Sequence, residues 1–245
     1  MFLASVPAPR ALEPLKLPVG HEDNHKVNAV FKFTLVMSAI PLLTAQTIQT
    51  FPLSSLDGLE PQHLKAESVH YRGRDAIHLS AASKTTGEPI VILTHSDFEN
   101  GTLELDLAGA PPAGASDSAR GSVGVAFHLQ SPTRFECFYL RMTNARANDQ
   151  VRRNHTLQYI SVPDFPFERT RAETPALYES YADLEAGVWT RLRLVVSGVQ
   201  AKLYINGADQ PSLIVNDLKL GRVRGKVALW SGRDADGYFS HLRVY

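Results

Sequence analysis

The side chains best able to do chemistry are concentrated in one segment, FECFYLRMTNARANDQVRRNHTLQY, which runs from Phe135 to Tyr159. It brings together carboxylates, guanidinium groups, amides, an imidazole and phenols. Planar amides and guanidinium groups form directional hydrogen bonds, and Glu, His and Tyr can transfer protons. The segment is either a binding or catalytic site, or a solvated loop whose charges pair locally. Its candidate binding residues are Arg141, Asn144, Asp149, Arg152, Arg153 and Gln158.

Three residues of this segment are candidates for proton transfer. Glu136 lies inside an apolar run, where burial raises the pKa of a carboxyl group unless a cation pairs with it. His155 and Tyr159 are a chemically reasonable base and acid. Each candidate has a structural alternative. Glu136 can be satisfied by Arg141 or Arg153, and His155 and Tyr159 can simply be neighbours on one strand face.

The elements that position these residues are predicted to be β-strands. From residue 46 onward, short apolar or alternating runs recur about every 8–12 residues between Gly, Pro, Asn and Asp turn signals, and no dozen residues show a helical period. This pattern is typical of an all-β fold, a two-sheet antiparallel β-sandwich. The predicted strands are Ala76–Ser80, Ile90–Leu93, Gly101–Leu107, Val123–Leu129, Phe135–Met142, Thr156–Val162, Trp189–Ser197, Gln200–Ile205, Leu213–Asn216, Gly225–Trp230 and Gly237–Val244.

Strand alternation assigns faces to the candidate residues. On Phe135–Met142, Glu136 lies on one face, and Cys137, Tyr139 and Arg141 lie on the other. On the next strand His155 and Tyr159 are predicted to share a face. The charged loop between these strands then joins their ends.

Composition excludes several classes of partner and cofactor. Lys plus Arg and Asp plus Glu number 25 each, so no global field favours nucleic acid. Cys137 is the only cysteine, which excludes an intrachain disulfide and favours a buried, inert thiol. No zinc spacing, phosphate loop or dinucleotide motif occurs, so we predict no cofactor. Asp234 and Asp236 give only a weak indication of calcium.

The N-terminal part of the chain is typical of an export signal. Residues 27–45, VNAVFKFTLVMSAIPLLTA, place lysines before an apolar stretch that ends at small residues. The stretch is shorter than the roughly 20 residues that a spanning helix needs, although a membrane anchor or a buried helix remains an alternative. We therefore predict a leader over residues 1–45, a domain over 46–245, a periplasmic or secreted location, and no stable membrane span after processing.

The last third of the chain carries an ordered set of motifs: GVWTRLRL from Gly187, AKLYING from Ala201, RGKVALW from Arg224 and GYFSHLRV from Gly237. Their order resembles the concanavalin A-like lectin/glucanase superfamily, and more narrowly its laminin-G-like and 3-keto-disaccharide hydrolase-type sandwiches. The likeness spans most of residues 98–245. The sequence departs from it at His241, where Asn is usual, and in a longer, more basic insertion over residues 144–185.

The resemblance implies a jelly-roll sandwich that binds a carbohydrate on one sheet face, here with the 144–185 loops. Polar side chains would bind sugar hydroxyl groups, and Trp230 at a strand end is the candidate stacking platform. Arg141, Arg152 and Arg153 would also suit an acidic sugar or a sulfate. One alternative is a glycoside hydrolase or lyase with Glu136 as acid/base and a second carboxylate about 5–10 Å away. Another is a structural or protein-interaction sandwich. Candidate second carboxylates are Asp149, Asp164, Glu179 and Asp183.

Overall fold

The structure is a computed structural model that describes residues 48–82 and 86–245. The predicted leader lies outside the described residues, so the export signal stays a prediction. Within the described ranges the chain forms fifteen strands and two short helices. These are β1 (Gln49–Phe51), β2 (Leu59–Gln62), β3 (Leu64–Tyr71), β4 (Arg74–Ala81), β5 (Ile90–Leu93), β6 (Gly101–Ala110), β7 (Ser122–Ser131), β8 (Arg134–Arg141), α1 (Gln150–Asn154), β9 (Leu157–Val162), α2 (Phe167–Glu173), β10 (Glu179–Ser180), β11 (Thr190–Ser197), β12 (Gln200–Ile205), β13 (Leu213–Val215), β14 (Lys226–Ser231) and β15 (Asp236–Val244).

The strands form two antiparallel sheets, which confirms the predicted fold class. The eight-stranded sheet has the order β13-β12-β11-β6-β15-β4-β3, with β1 also paired to β15. The seven-stranded sheet has the order β10-β9-β8-β7-β14-β5-β2. Strands adjacent in a sheet are often distant in sequence, as β6 and β15 are, so long-range pairing holds the sandwich together.

Alternation along each strand separates a core between the sheets from a second apolar layer on the outside of the seven-stranded sheet. On β8, Phe138 and Leu140 point into the core, while Cys137 and Tyr139 belong to the outer layer. This is the face assignment that the period-two pattern predicts for β8. Cys137 is buried, and burial raises the pKa of its thiol well above the usual value, as expected for an inert thiol.

The structure adds elements that the sequence pattern does not predict. Strand β3 lies at the edge of the eight-stranded sheet with only one buried residue, so it lacks a strong alternating apolar signal. Helices α1 and α2 span five and seven residues, too short to display a helical period. Both lie in the basic insertion, and α1 begins after Asp149, whose side chain accepts a hydrogen bond from Arg152 N.

Candidate functional site

A cleft of about 1060 Å³ opens on the outer face of the seven-stranded sheet. We call it the sheet cleft. Its floor includes Tyr139 of β8, Ile160 of β9 and Trp230 of β14, and the segments that contain α1 and α2 form its walls. The insertion therefore lies next to the outer apolar layer of the seven-stranded sheet. The charged residues that line the cleft are Glu88, Arg120, Arg141, Asp149, Arg152, Glu168, Arg171 and Asp234, with His155 beside them.

Aromatic rings form the floor of the cleft. The ring centroids of Tyr139 and Trp230 are 4.7 Å apart, with an angle of 33° between the planes. Trp230 Nε1 donates to Glu88 Oε2 at 3.3 Å, which orients the indole in the floor of the cleft. Trp230 is 9% exposed and Phe167 of α2 is half-buried. The cleft therefore offers apolar surface together with polar groups, the combination found in ligand sites.

A buried carboxylate organises one wall. Glu179 on β10 accepts hydrogen bonds from Arg171 of α2, with Nη2 at 2.6 Å, and from Arg141 Nη1 at 3.3 Å. Its side chain is only 3% exposed, so these contacts lie in a poorly hydrated environment. Arg141 also donates to Tyr139 Oη at 2.6 Å. Glu179 therefore joins β8, β10 and α2 into one polar cluster. Its single negative charge is shared by the two positive charges of Arg141 and Arg171.

His155 caps the C-terminal end of α1 instead of lying on the face of β9 that carries Tyr159. It lines the cleft, and its Nε2 is 3.4 Å from Glu179 Oε2. The predicted shared face is wrong, because β9 begins only at Leu157 and His155 lies before the strand. Burial lowers the pKa of His155, the charges of Arg171 and Arg141 act in the same direction, and Glu179 opposes them.

The other predicted binding residues divide between the cleft and its surroundings. Asn144, Asp149 and Arg152 line the cleft, and Arg152 Nε donates to Asn144 Oδ1 at 3.0 Å. Arg153 turns away and donates to Tyr181 Oη at 3.0 Å. Gln158 is fully buried behind the wall, where its Oε1 accepts from Arg141 Nη2 at 3.3 Å. The last two residues therefore support the site instead of facing a ligand.

Glu136 and Tyr159 lie in the core between the sheets, on the opposite side of β8 and β9 from the cleft. Both side chains are buried, and Tyr159 Oη donates to Glu136 Oε1 at 2.7 Å. His128 Nδ1 lies 2.8 Å from Glu136 Oε2, and Leu220 N donates to Oε1 at 3.1 Å. This network satisfies the carboxylate inside the fold. A ligand in the sheet cleft has no access to this carboxylate, so neither residue is assigned a catalytic role.

Sequence reasoning passed over several cleft residues. Tyr139 had a signal, since it shares the Arg141 face of β8, but it was not selected. Phe167 and Arg171 had none, because α2 is too short to show a period. Glu179 is named in the sequence only as a candidate second carboxylate, and its ion pair with Arg171 joins separate parts of the insertion. Arg120 comes from the loop before β7 and reaches the same cleft.

Neither a metal cluster nor a spanning helix emerges from the described ranges. No three His, Cys, Asp or Glu side chains in residues 48–82 and 86–245 are grouped to hold a metal ion. The residues named for calcium have separate contacts: Asp234 Oδ2 accepts from Arg120 N at 2.6 Å, and Asp236 Oδ1 lies 3.3 Å from His78 Nε2. In the same ranges, no helix is long and apolar enough to cross a membrane.

Comparisons with known proteins identify the fold. No protein-family model and no curated protein sequence matches the chain. Among solved structures, the carbohydrate-binding module CBM66 of Bacillus subtilis is similar at a TM-score of 0.50 and 12% identity, covering 77% of this chain and 96% of that one. A Bacillus subtilis protein of unknown function with a galectin-like fold gives 0.50 and 12%, covering 80% and 93%.

Peanut lectin, solved with a nine-residue peptide, is similar at a TM-score of 0.50 and 9% identity, covering 81% of this chain and 98% of the lectin. Identities this low carry information about the fold alone. The two sheets and these likenesses confirm the fold that the C-terminal motifs imply, while the narrower laminin-G-like and hydrolase-type resemblance stays a prediction. The chain has the concanavalin A-like lectin/glucanase fold.

Proposed function

We propose that this chain is an exported carbohydrate-binding domain that holds a glycan in the sheet cleft. The observation that carries the proposal is the pairing of an aromatic floor, Tyr139 and Trp230, with a wall of hydrogen-bonding side chains in one open cleft. Sugars have apolar ring faces and many hydroxyl groups, so this surface suits both. The cleft volume of about 1060 Å³ accommodates more than one sugar unit.

The similar solved structures support the proposal only as a fold that carbohydrate-binding proteins use. Export is supported by residues 27–45 alone. The hydrolase alternative loses its named acid/base, because Glu136 is enclosed by His128 and Tyr159 in the core. We therefore place binding first and assign no chemical step to the cleft.

A glycan screen tests the proposal, with binding and the release of reducing ends read together. The informative variant is Phe167→Ala, because Phe167 lines the cleft on α2 and is half-buried. Removing an aromatic ring that packs on a ligand costs about 1.5–3 kcal/mol, so we expect affinity to fall roughly tenfold or more. Tyr204→Ala is the matched control, since Tyr204 is half-buried on β12 of the other sheet.

Binding that weakens in Phe167→Ala and is unchanged in Tyr204→Ala would support the sheet cleft as the glycan site. Release of reducing ends by the wild-type protein would replace a binding function with an enzymatic one. Absence of binding across neutral and acidic glycans would contradict the proposal and favour a protein partner.

A further inference from the structure

The arginines of the sheet cleft fall into two classes. Arg141 and Arg171 both form ion pairs with the buried Glu179 carboxylate. The guanidinium groups of Arg120 and Arg152 donate only to uncharged oxygens within the described part of the chain. Arg152 donates hydrogen bonds to Asn144 Oδ1 and to a threonine hydroxyl. Arg120 donates to two backbone carbonyls. Among the described residues, two cations of one cleft are therefore left without an ion pair.

Thr143 brings these two arginines together, although they come from different segments. Arg152 Nη2 donates to Thr143 Oγ1 at 3.1 Å, and Thr143 N donates to the carbonyl of Arg120 at 3.2 Å. The charge of Arg152 also acts on Arg120, whose pKa is lowered by burial and by that charge. The contacts of Thr143 hold both arginines in place, and their two positive charges repel each other. An anion between the two groups would relieve that repulsion.

The two carboxylates beside this pair accept hydrogen bonds from backbone N–H groups and not from the guanidinium groups. Asp149 Oδ1 accepts from the backbone N–H of Arg152 at 2.6 Å, as the cap of α1. Asp234 Oδ2 accepts from the backbone N–H of Arg120 at 2.6 Å. Asp234 raises the pKa of Arg120, but the net direction of the shift is still downward. Neither carboxylate forms an ion pair with a guanidinium group of the pair, so planar N–H donors remain for a ligand.

We propose that the sheet cleft selects glycans that carry an anionic substituent, a carboxylate or a sulfate, and that Arg120 and Arg152 bind this substituent. The inference rests on the proposed function and names the class of glycan that the same site takes. A guanidinium group matches a carboxylate or sulfate through paired N–H donors, which a neutral hydroxyl cannot match in charge. The aromatic floor then holds the sugar ring that bears the anion.

Matched pairs of glycans test the charge requirement. Galacturonate, alginate and hyaluronan oligosaccharides are each compared with their methyl esters, and dextran sulfate with dextran. The backbone stays the same within a pair, so a difference reports the anion alone. A hydrogen bond to a charged group is stronger than one to a neutral group, so we expect the acidic member of at least one pair to bind about tenfold tighter or more.

Substitutions then locate the anion. Arg120→Gln and Arg152→Gln are each expected to remove most of the preference for the acidic member, and Arg152→Lys to restore part of it. Arg146→Gln is the matched control, because it also removes one positive charge from the insertion. Its guanidinium is exposed and pairs with Asp183 at 3.5 Å outside the cleft lining. Thermal unfolding of every variant checks that the fold is intact.

The outcomes separate this inference from the proposed function. Loss of the preference in the Arg120 and Arg152 variants, with Arg146→Gln unchanged, supports the inference, and the responsive pair tells a carboxylate from a sulfate. Equal affinity for acidic and neutral glycans would overturn the inference and leave the proposed function standing. An equal loss in Arg146→Gln would overturn the assignment to these two arginines. Absence of all glycan binding would overturn the proposed function itself.

Discussion

At the scale of single residues, Glu136 illustrates how a carboxylate in an apolar strand can be structural. Its two oxygens meet three partners: His128, Tyr159 and the N–H of Leu220. Burial and the adjacent Glu136 charge raise the pKa of Tyr159, so this phenol stays protonated and donates. The residue that first suggests acid/base chemistry from the sequence thus belongs to the core.

We predict that Glu136→Ala lowers the free energy of unfolding by about 3–5 kcal/mol, because it leaves buried donors without an acceptor. Glu67→Ala is the control. Glu67 also contacts a histidine, His78 at 2.9 Å, but its side chain is 66% exposed, so the expected cost is about 1 kcal/mol or less. Chemical denaturation measures both. Equal stability of the two variants would contradict the structural role of Glu136.

At the scale of elements, β10 and α2 form a wall that the long insertion supplies. The connection between them runs through Glu179 and Arg171, whose closest contact is 2.6 Å. Helix α2 has seven residues and one buried member, Thr170, so its own packing contributes little. Its position in the cleft therefore depends on this ion pair together with Phe167, which packs against the outer apolar layer.

We predict that Glu179→Gln loosens α2 and speeds hydrogen exchange of its backbone amides, because Arg141 and Arg171 lose their shared countercharge. Removing one partner of a buried ion pair lowers the free energy of unfolding by about 3–5 kcal/mol. Glu173→Gln on the same helix is the control. Its pair with Arg169 is half-exposed, so its loss is expected to change the exchange rates little. Exchange rates that rise equally in both variants would contradict the role of the Glu179–Arg171 ion pair in holding α2.

The sequence predicts those elements whose signal is local. Strands β5 and β12 have the predicted bounds, Ile90–Leu93 and Gln200–Ile205, because alternation or a continuous apolar run marks them. The edge strand β3 is exposed at four of its eight positions and carries no such mark. For the site, alternation on β8 places Arg141 correctly on the outer face. The pairing of Glu179 with Arg141 is invisible in the sequence, since it depends on how the insertion folds back.

At the scale of the whole molecule, the two sheets present different outer faces. The seven-stranded sheet carries the cleft with Trp230 in its floor. The other tryptophan, Trp189, lies beside Tyr71 of the eight-stranded sheet, with ring centroids 5.7 Å apart. The chain has only these two tryptophans, one near each face. Their indole N–H groups therefore report separately on the two sides of the sandwich.

The most direct test of the central claim is a titration of the ¹⁵N-labelled protein with the glycan that binds most tightly in the screen, followed through the two indole N–H signals. A Trp189→Phe variant assigns the signals. We predict that the Trp230 signal shifts in a saturable way while the Trp189 signal stays in place. Saturable binding that shifts Trp189 alone, or leaves both signals unmoved, would contradict a glycan site in the sheet cleft.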